Sequence, residues 1–166
     1  MKYVKWFFVV LLIGSLTSFV SINKPNRGLN VGDMAPDFSI RAVSAEKPVL
    51  RLKDMQGKYV LISFWASYDA PSRMRNACLS NVLRMAAPEN VELVSVSFDD
   101  FQSVFEETVR KDRIVTPTCF AETEGESSDL FRKYGLDRGF TNYLLDNRGV
   151  IIAKNVAASD LLSYLD

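Results

Sequence analysis

The sequence predicts a single α/β domain, a central sheet with helices on both faces. Three observations carry that prediction. A continuous apolar run at 59–65 and a second segment at 91–98 read as buried strands. Segments 71–85 and 100–111 repeat apolar residues at helical spacing. The tetrapeptide DNRG at 146–149 reads as a hairpin turn between strands 141–145 and 150–153. The chain has 166 residues, 48% of them hydrophobic, enough for one core and a short leader.

The leader comes first in chain order. Lys2 and Lys5 precede an apolar stretch from Trp6 to Ile22, the layout of a secretory signal. Its small-x-small cleavage site is poor, and the run is about long enough to span a bilayer. Residues 1–22 are therefore read as a signal peptide or an uncleaved N-terminal membrane anchor. They hold no cysteine, which closes the lipoprotein route. Residues 23–30, polar and carrying Pro25 and Gly28, read as a linker, and 31–166 as the domain. The expected location is the periplasm, or the periplasmic face of the inner membrane of a bacterium-like cell.

Within the domain, 38–40 and 49–52 read as short strands flanking a loop. The run 59–65 follows the turn residues Gln56, Gly57 and Lys58. Helix 71–85 places Met74, Cys78, Val82 and Met85 on one face and stops near Pro88. Helix 100–111 carries Phe101, Phe105 and Val109 at i, i+4 and i+8. A short helix over 127–134 ends at Gly135, and a closing helix is expected over 158–165.

Charge and composition exclude several chemistries. Lysine plus arginine and aspartate plus glutamate number 20 each. The first thirty residues hold Lys2, Lys5, Lys24 and Arg27 and no acid, so the remainder has 16 basic against 20 acidic residues, a net of −4. Such a domain offers no electrostatic footprint for nucleic acid. Histidine is absent, so Ser-His and Cys-His nucleophile pairs and HExxH zinc sites cannot be assembled. Two cysteines, Cys78 and Cys119, cannot close a tetrahedral zinc site. Neither a cofactor nor a metal is expected.

Three stretches, in order, resemble a known family. VGDMAPDF at 31–38 is similar to the V-G-x-x-A-P-x-F opening of redoxins. GKYVLISFWAS at 57–67 is similar to their G-K-x-V-L-x-x-F-W-A-S strand. Tyr134-Gly135, followed by TNYLLDNRG at 141–149, resembles their later Y-G and T-x-F-L-I-D-x-x-G segment. The chain thus resembles the TlpA-like/redoxin (AhpC-TSA) thioredoxin-fold family over nearly all of 31–166. The resemblance implies a thioredoxin-like fold around a mixed sheet.

It also implies a site, and there the chain departs. Where active TlpA-like proteins read W-C-x-P-C-R, this chain has Tyr68, Asp69, Ala70, Pro71, Ser72 and Arg73. Proline and arginine keep their register, while both cysteines are replaced. Thiol–disulfide exchange needs an attacking thiolate and a resolving thiol, and peroxiredoxin chemistry needs a low-pKa cysteine in this loop. The family's cis-proline, which faces the cysteine pair, is Phe140 here, and a trans bond is expected there.

Each substituted residue has a bland reading and a sharper one. Asp69 is read as a helix N-cap rather than a general acid or base, with Arg73 pairing with it. Ser72 as a nucleophile would need a base, and nothing in the motif places Lys53 or Lys58 there. Cys78 and Cys119 are read as inert core thiols, against a displaced redox pair or a structural disulfide. Glu122, Glu124, Glu126 and Asp129 form an acidic loop around Gly125, with Asp129 entering a helix. The functional expectation is a non-catalytic binding or assembly module, holding an envelope protein near Tyr68, Asp69 and Phe140. The alternative is an oxidoreductase or antioxidant protein working through Cys78 and Cys119 or a partner's thiol.

Overall fold

The computed structural model describes residues 25–41, 49–114 and 117–165. The expected leader 1–22 lies outside these residues. Among the described residues no helix is long and apolar enough to cross a membrane.

The chain order is β1 (Ser39–Ile40), β2 (Leu50–Arg51), β3 (Tyr59–Trp65), α1 (Ala70–Ala86), β4 (Val91–Ser97) and α2 (Gln102–Asp112). It continues with β5 (Cys119–Ala121), α3 (Asp129–Lys133), β6 (Asn142–Leu145) and β7 (Ile151–Lys154). β1 and β2 pair as an antiparallel ribbon, and the other strands form one sheet in the order β5-β4-β3-β6-β7. β3 runs parallel to β4, and β4 to β5, while β6 and β7 are antiparallel. The sheet is therefore mixed, as the resemblance implied.

Alternation along β3 sends its side chains to two covered faces. Val60, Ile62 and Phe64 pack with Val94, Val96 and Phe98 of the β4 region, and with Leu130, Phe131 and Tyr134 around α3. Leu61 faces Leu79 of α1 and Leu161, and Trp65 meets Phe105 of α2. A strand buried on both faces has no polar side, which is why 59–65 reads as one unbroken apolar run.

Three expectations need correction. The buried face of α1 is Ser72, Asn76, Leu79 and Ser80, whereas Met74 and Met85 are 66% and 74% exposed. The reason is polar matching across the interface. The Trp65 indole donates to Ser95 Oγ at 2.9 Å, and that hydroxyl donates to Asn76 Oδ1 at 3.0 Å. A sheet face presenting a serine favours an asparagine over a methionine. Second, the closing helix is only a 3₁₀ turn, Leu161–Tyr164, whose amides bond three residues back, Ser163 to the Asp160 carbonyl and Leu165 to the Leu162 carbonyl, both at 3.1 Å. Third, β5 escapes a sequence reading: three residues are too few to show alternation.

At the opposite end of the sheet from Trp65, the DNRG turn forms as expected. Gly149 takes a positive φ of 84°, and the Asp146 carboxylate accepts the Arg148 and Val150 amides, both at 2.9 Å. Burial raises the Asp146 pKa, but these amides and the Arg148 guanidinium outweigh it and hold the carboxyl below its ordinary value. A depressed carboxyl contributes stability above its unfolded pKa and loses it as pH falls through the folded one. The urea-unfolding free-energy gap between the native chain and Asp146→Ala should therefore hold steady from neutrality to about pH 5 and shrink below about pH 4.

Candidate functional site

β3, β4 and β5 run in the same direction and end at Trp65, Ser97 and Ala121, while β6 starts beside them, with Asn142 opposite Ser63. The loops 66–69, 98–101, 122–128 and 139–141 therefore gather at one edge. In sheets of this kind the carboxyl ends of parallel strands are where ligands bind. All six residues of the expected site, Tyr68, Asp69, Ala70, Pro71, Ser72 and Phe140, lie on two of these loops and the first turn of α1.

Asp69 occupies the N-cap position of α1, but its carboxylate accepts no capping bond. Pro71 at the second helical position has no N–H, which removes one donor a cap would use. The turn is closed instead by Ser72. Its hydroxyl donates to the Asp69 carbonyl at 3.1 Å and accepts the Ala66 amide at 3.4 Å. Ser72 is buried and among the described residues its hydroxyl bonds only to backbone groups, while Lys58 precedes β3 at the far end of the sheet and pairs with Glu92 at 2.7 Å.

Arg73 does not pair with Asp69. It forms a two-pronged ion pair with Asp112, at 2.7 and 2.8 Å, and so offsets a carboxylate at the C-terminal end of α2, where the helix dipole disfavours one. The pair ties α1 to α2 and is part-buried, so Arg73→Ala should lower the unfolding free energy by about 1–2 kcal/mol in a denaturant titration.

A residue that the sequence reading missed organises the loop. Asp99, 1% exposed, accepts the Ser67 amide at 2.9 Å, the Ser67 hydroxyl at 2.6 Å and the Ser97 hydroxyl at 2.6 Å. Its three bonds fix the backbone just before Tyr68. The available signal was an acidic residue directly after a buried strand, at the edge where loops converge.

Phe140 follows Gly139 through a trans bond, and Gly139 takes φ 115°. Its ring stacks on Phe98 at 5.8 Å and meets Phe131 and Tyr68 edge-on, both at 6.3 Å. Its carbonyl accepts Arg75 Nη1 at 3.2 Å. Phe140 is thus an aromatic floor in the loop, with Tyr68, 66% exposed, standing on it. Burial, then the charges of Glu126, Asp100, Asp99 and Asp69, push the Tyr68 phenol above its ordinary pKa, so it stays neutral. On the α1 side a groove of about 420 Å³ runs past Ser67, Ala70, Arg73 and Met74 to Asp112.

The thiols sit elsewhere. Cys78 is exposed on α1, which corrects its reading as a core residue, and Cys119 packs on β5 against the cluster of Trp65 and Phe105. No disulfide joins them. Among the described residues, no group of three or more histidine, cysteine, aspartate or glutamate side chains is placed to hold a metal.

The profile of the AhpC/TSA family matches residues 31–154. Thiol-disulfide oxidoreductase ResA of Oceanobacillus iheyensis is 28% identical over 127 residues, spanning 75% of this chain and 66% of that protein, just under two thirds of its length. Thioredoxin-like protein YneN of Bacillus subtilis is 28% identical over 159 residues, 90% of this chain and 86% of that one. The crystal structure of a thioredoxin-like protein from Parabacteroides distasonis matches with a TM-score of 0.73 and 38% identity, covering 86% of this chain and 98% of the other. The C-terminal domain of a thiol-disulfide oxidoreductase from Bacteroides thetaiotaomicron matches at a TM-score of 0.70 and 22% identity, over 82% and 94% of the two chains.

Proposed function

The chain belongs to the AhpC/TSA family and has the thioredoxin-like fold, and from that premise we propose that it is an exported binding module, not a redox enzyme. The observation carrying this reading is the pair of residues at the family's cysteine positions. Asp69 and Ser72 offer neither a thiolate nor a resolving thiol, and Ser72 is locked to the backbone. The same edge keeps an exposed aromatic, Tyr68, on a packed aromatic floor, the kind of side chain that anchors protein interfaces. The proposed partner is an envelope protein. The proposed route is export through residues 1–22, to the periplasm or the periplasmic face of the inner membrane.

The second reading, chemistry moved to Cys78 and Cys119, finds less support. One thiol faces solvent on α1 and the other packs under α2, with no bond between them.

A photo-crosslinking residue placed at Tyr68 in the full chain, in cells, tests the binding role. A single envelope protein should crosslink there, should not crosslink from Arg148 at the opposite end of the sheet, and should be lost from the Tyr68 position in a Phe140→Ala background. Equal labelling from both positions contradicts the proposal.

A further inference from the structure

Resting on the reading of this edge as a docking surface, we infer that its occupant is a basic segment of a partner protein, with a lysine or arginine lying over Tyr68 and ending among Asp69, Asp100 and Glu126. The placement starts from the sheet. β3 and β4 end in register, Trp65 opposite Ser97, so the loops that follow leave side by side. Each carries a large exposed aromatic: Tyr68 is 66% and Phe101 68% exposed. The third loop is held against the second, because a methyl group on Gly125 would lie 2.9 Å from Asp100 Oδ1. Glu126 is the next residue along.

The charges that act on Tyr68 have one sign. Among the described residues, every charged group acting on the Tyr68 hydroxyl is a carboxylate: Glu126, Asp100, Asp99 and Asp69. Asp99 is engaged with Ser67 and Ser97, but among the described residues the carboxylates of Asp69, Asp100 and Glu126 make no hydrogen bond or ion pair. The two arginines of the first α1 turns do not neutralise them. Arg73 is bound to Asp112 and Arg75 is turned to the Phe140 carbonyl.

An exposed aromatic, Tyr68, with unpaired carboxylates near its hydroxyl matches one chemistry. The ring quadrupole attracts a cation, a guanidinium also stacks on the ring, and the carboxylates take the N–H groups end-on. The aliphatic stem of a lysine or arginine covers the apolar surface on the way in. An acidic or purely apolar segment would leave the three carboxylates repelled or desolvated without a partner.

The test uses the full chain in nonionic detergent and three fluorescein-labelled nonapeptides followed by anisotropy. One alternates lysine and arginine with leucine and serine, and the others carry glutamate or glutamine at the basic positions. The basic peptide should bind about tenfold or more tighter than both counterparts, and weaken as salt rises. Asp100→Asn/Glu126→Gln should remove most of that preference, and Tyr68→Ala should weaken the basic peptide by about tenfold. Both variants change exposed side chains and leave the core intact. Equal binding of the glutamine peptide, lost in Tyr68→Ala, would overturn the basic specificity while leaving the docking surface standing. No binding by any of the three peptides would overturn the inference outright, and crosslinking from Tyr68 would then decide separately whether the edge docks a partner.

Discussion

Asp99→Ala is expected to lower the unfolding free energy by about 3–5 kcal/mol, among the largest losses available from one substitution in this chain. The alanine would strand the Ser67 amide, the Ser67 hydroxyl and the Ser97 hydroxyl, three donors satisfied by one carboxylate that is 1% exposed. The buried Ser97 hydroxyl would lose its partner without regaining water, while the partly buried Ser67 donors would recover some hydration. In a thermal scan followed by circular dichroism, Tm should fall by roughly 10–20 °C. The loop between Trp65 and Asp69 should loosen before the rest of the fold, since Asp99 is its tie to the β4 edge. Asp99→Asn is the informative companion. Its amide keeps one acceptor oxygen but turns a donor toward hydroxyls that already donate, so it should recover less than half of the loss.

Restoring thiols is expected to restore chemistry. In Asp69→Cys/Ser72→Cys the new side chains would stand at the N-cap and third position of α1, around Pro71, where the first helical turn already closes through the Arg73 amide and the Asp69 carbonyl at 3.0 Å. A thiolate there faces the positive end of the helix, which lowers its pKa from about 8.5 toward 7. That raises its ionised fraction at neutral pH about tenfold over an ordinary thiol, and the nearby carboxylates of Asp100 and Glu126 oppose part of it. The variant should therefore form a disulfide, seen as two fewer alkylatable thiols after oxidation. It should also reduce insulin about three- to tenfold faster than a chain carrying only ordinary surface thiols. A variant that oxidises but gains no turnover would assign the remaining block to Phe140, which fills the loop where the family's proline stands.

How much of this was legible in the sequence depends on how local the determinant is. β3 is legible to the residue, because a strand buried on both faces writes its burial directly into composition. The face of α1 is not. Its most apolar stripe, Met74, Cys78, Val82 and Met85, points largely to solvent, and the buried stripe is chosen by Ser95 on a different element. Phe101 fails for a similar reason: its spacing fits a helical face, yet it stands at the N-cap of α2, outside the stripe. The substitutions at Tyr68 to Ser72 could be read against a known motif because those residues are neighbours in the chain, and Phe140 because it directly precedes a second recognisable segment. Asp99 was not legible, since its partner Ser67 lies 32 residues away and meets it only through the parallel register of β3 and β4. The acidic character of the edge was visible in part, as Glu122, Glu124 and Glu126, but not its convergence on Tyr68.

The most direct measurement of the central claim is insulin and peroxide reduction by the full chain, with Cys78→Ser/Cys119→Ser assayed beside it. The account predicts that neither protein exceeds the uncatalysed rate, because the positions where this fold performs exchange hold Asp69 and a backbone-bound Ser72. Turnover by the native chain that disappears in the double variant would contradict it, and would place the chemistry on the two surviving thiols.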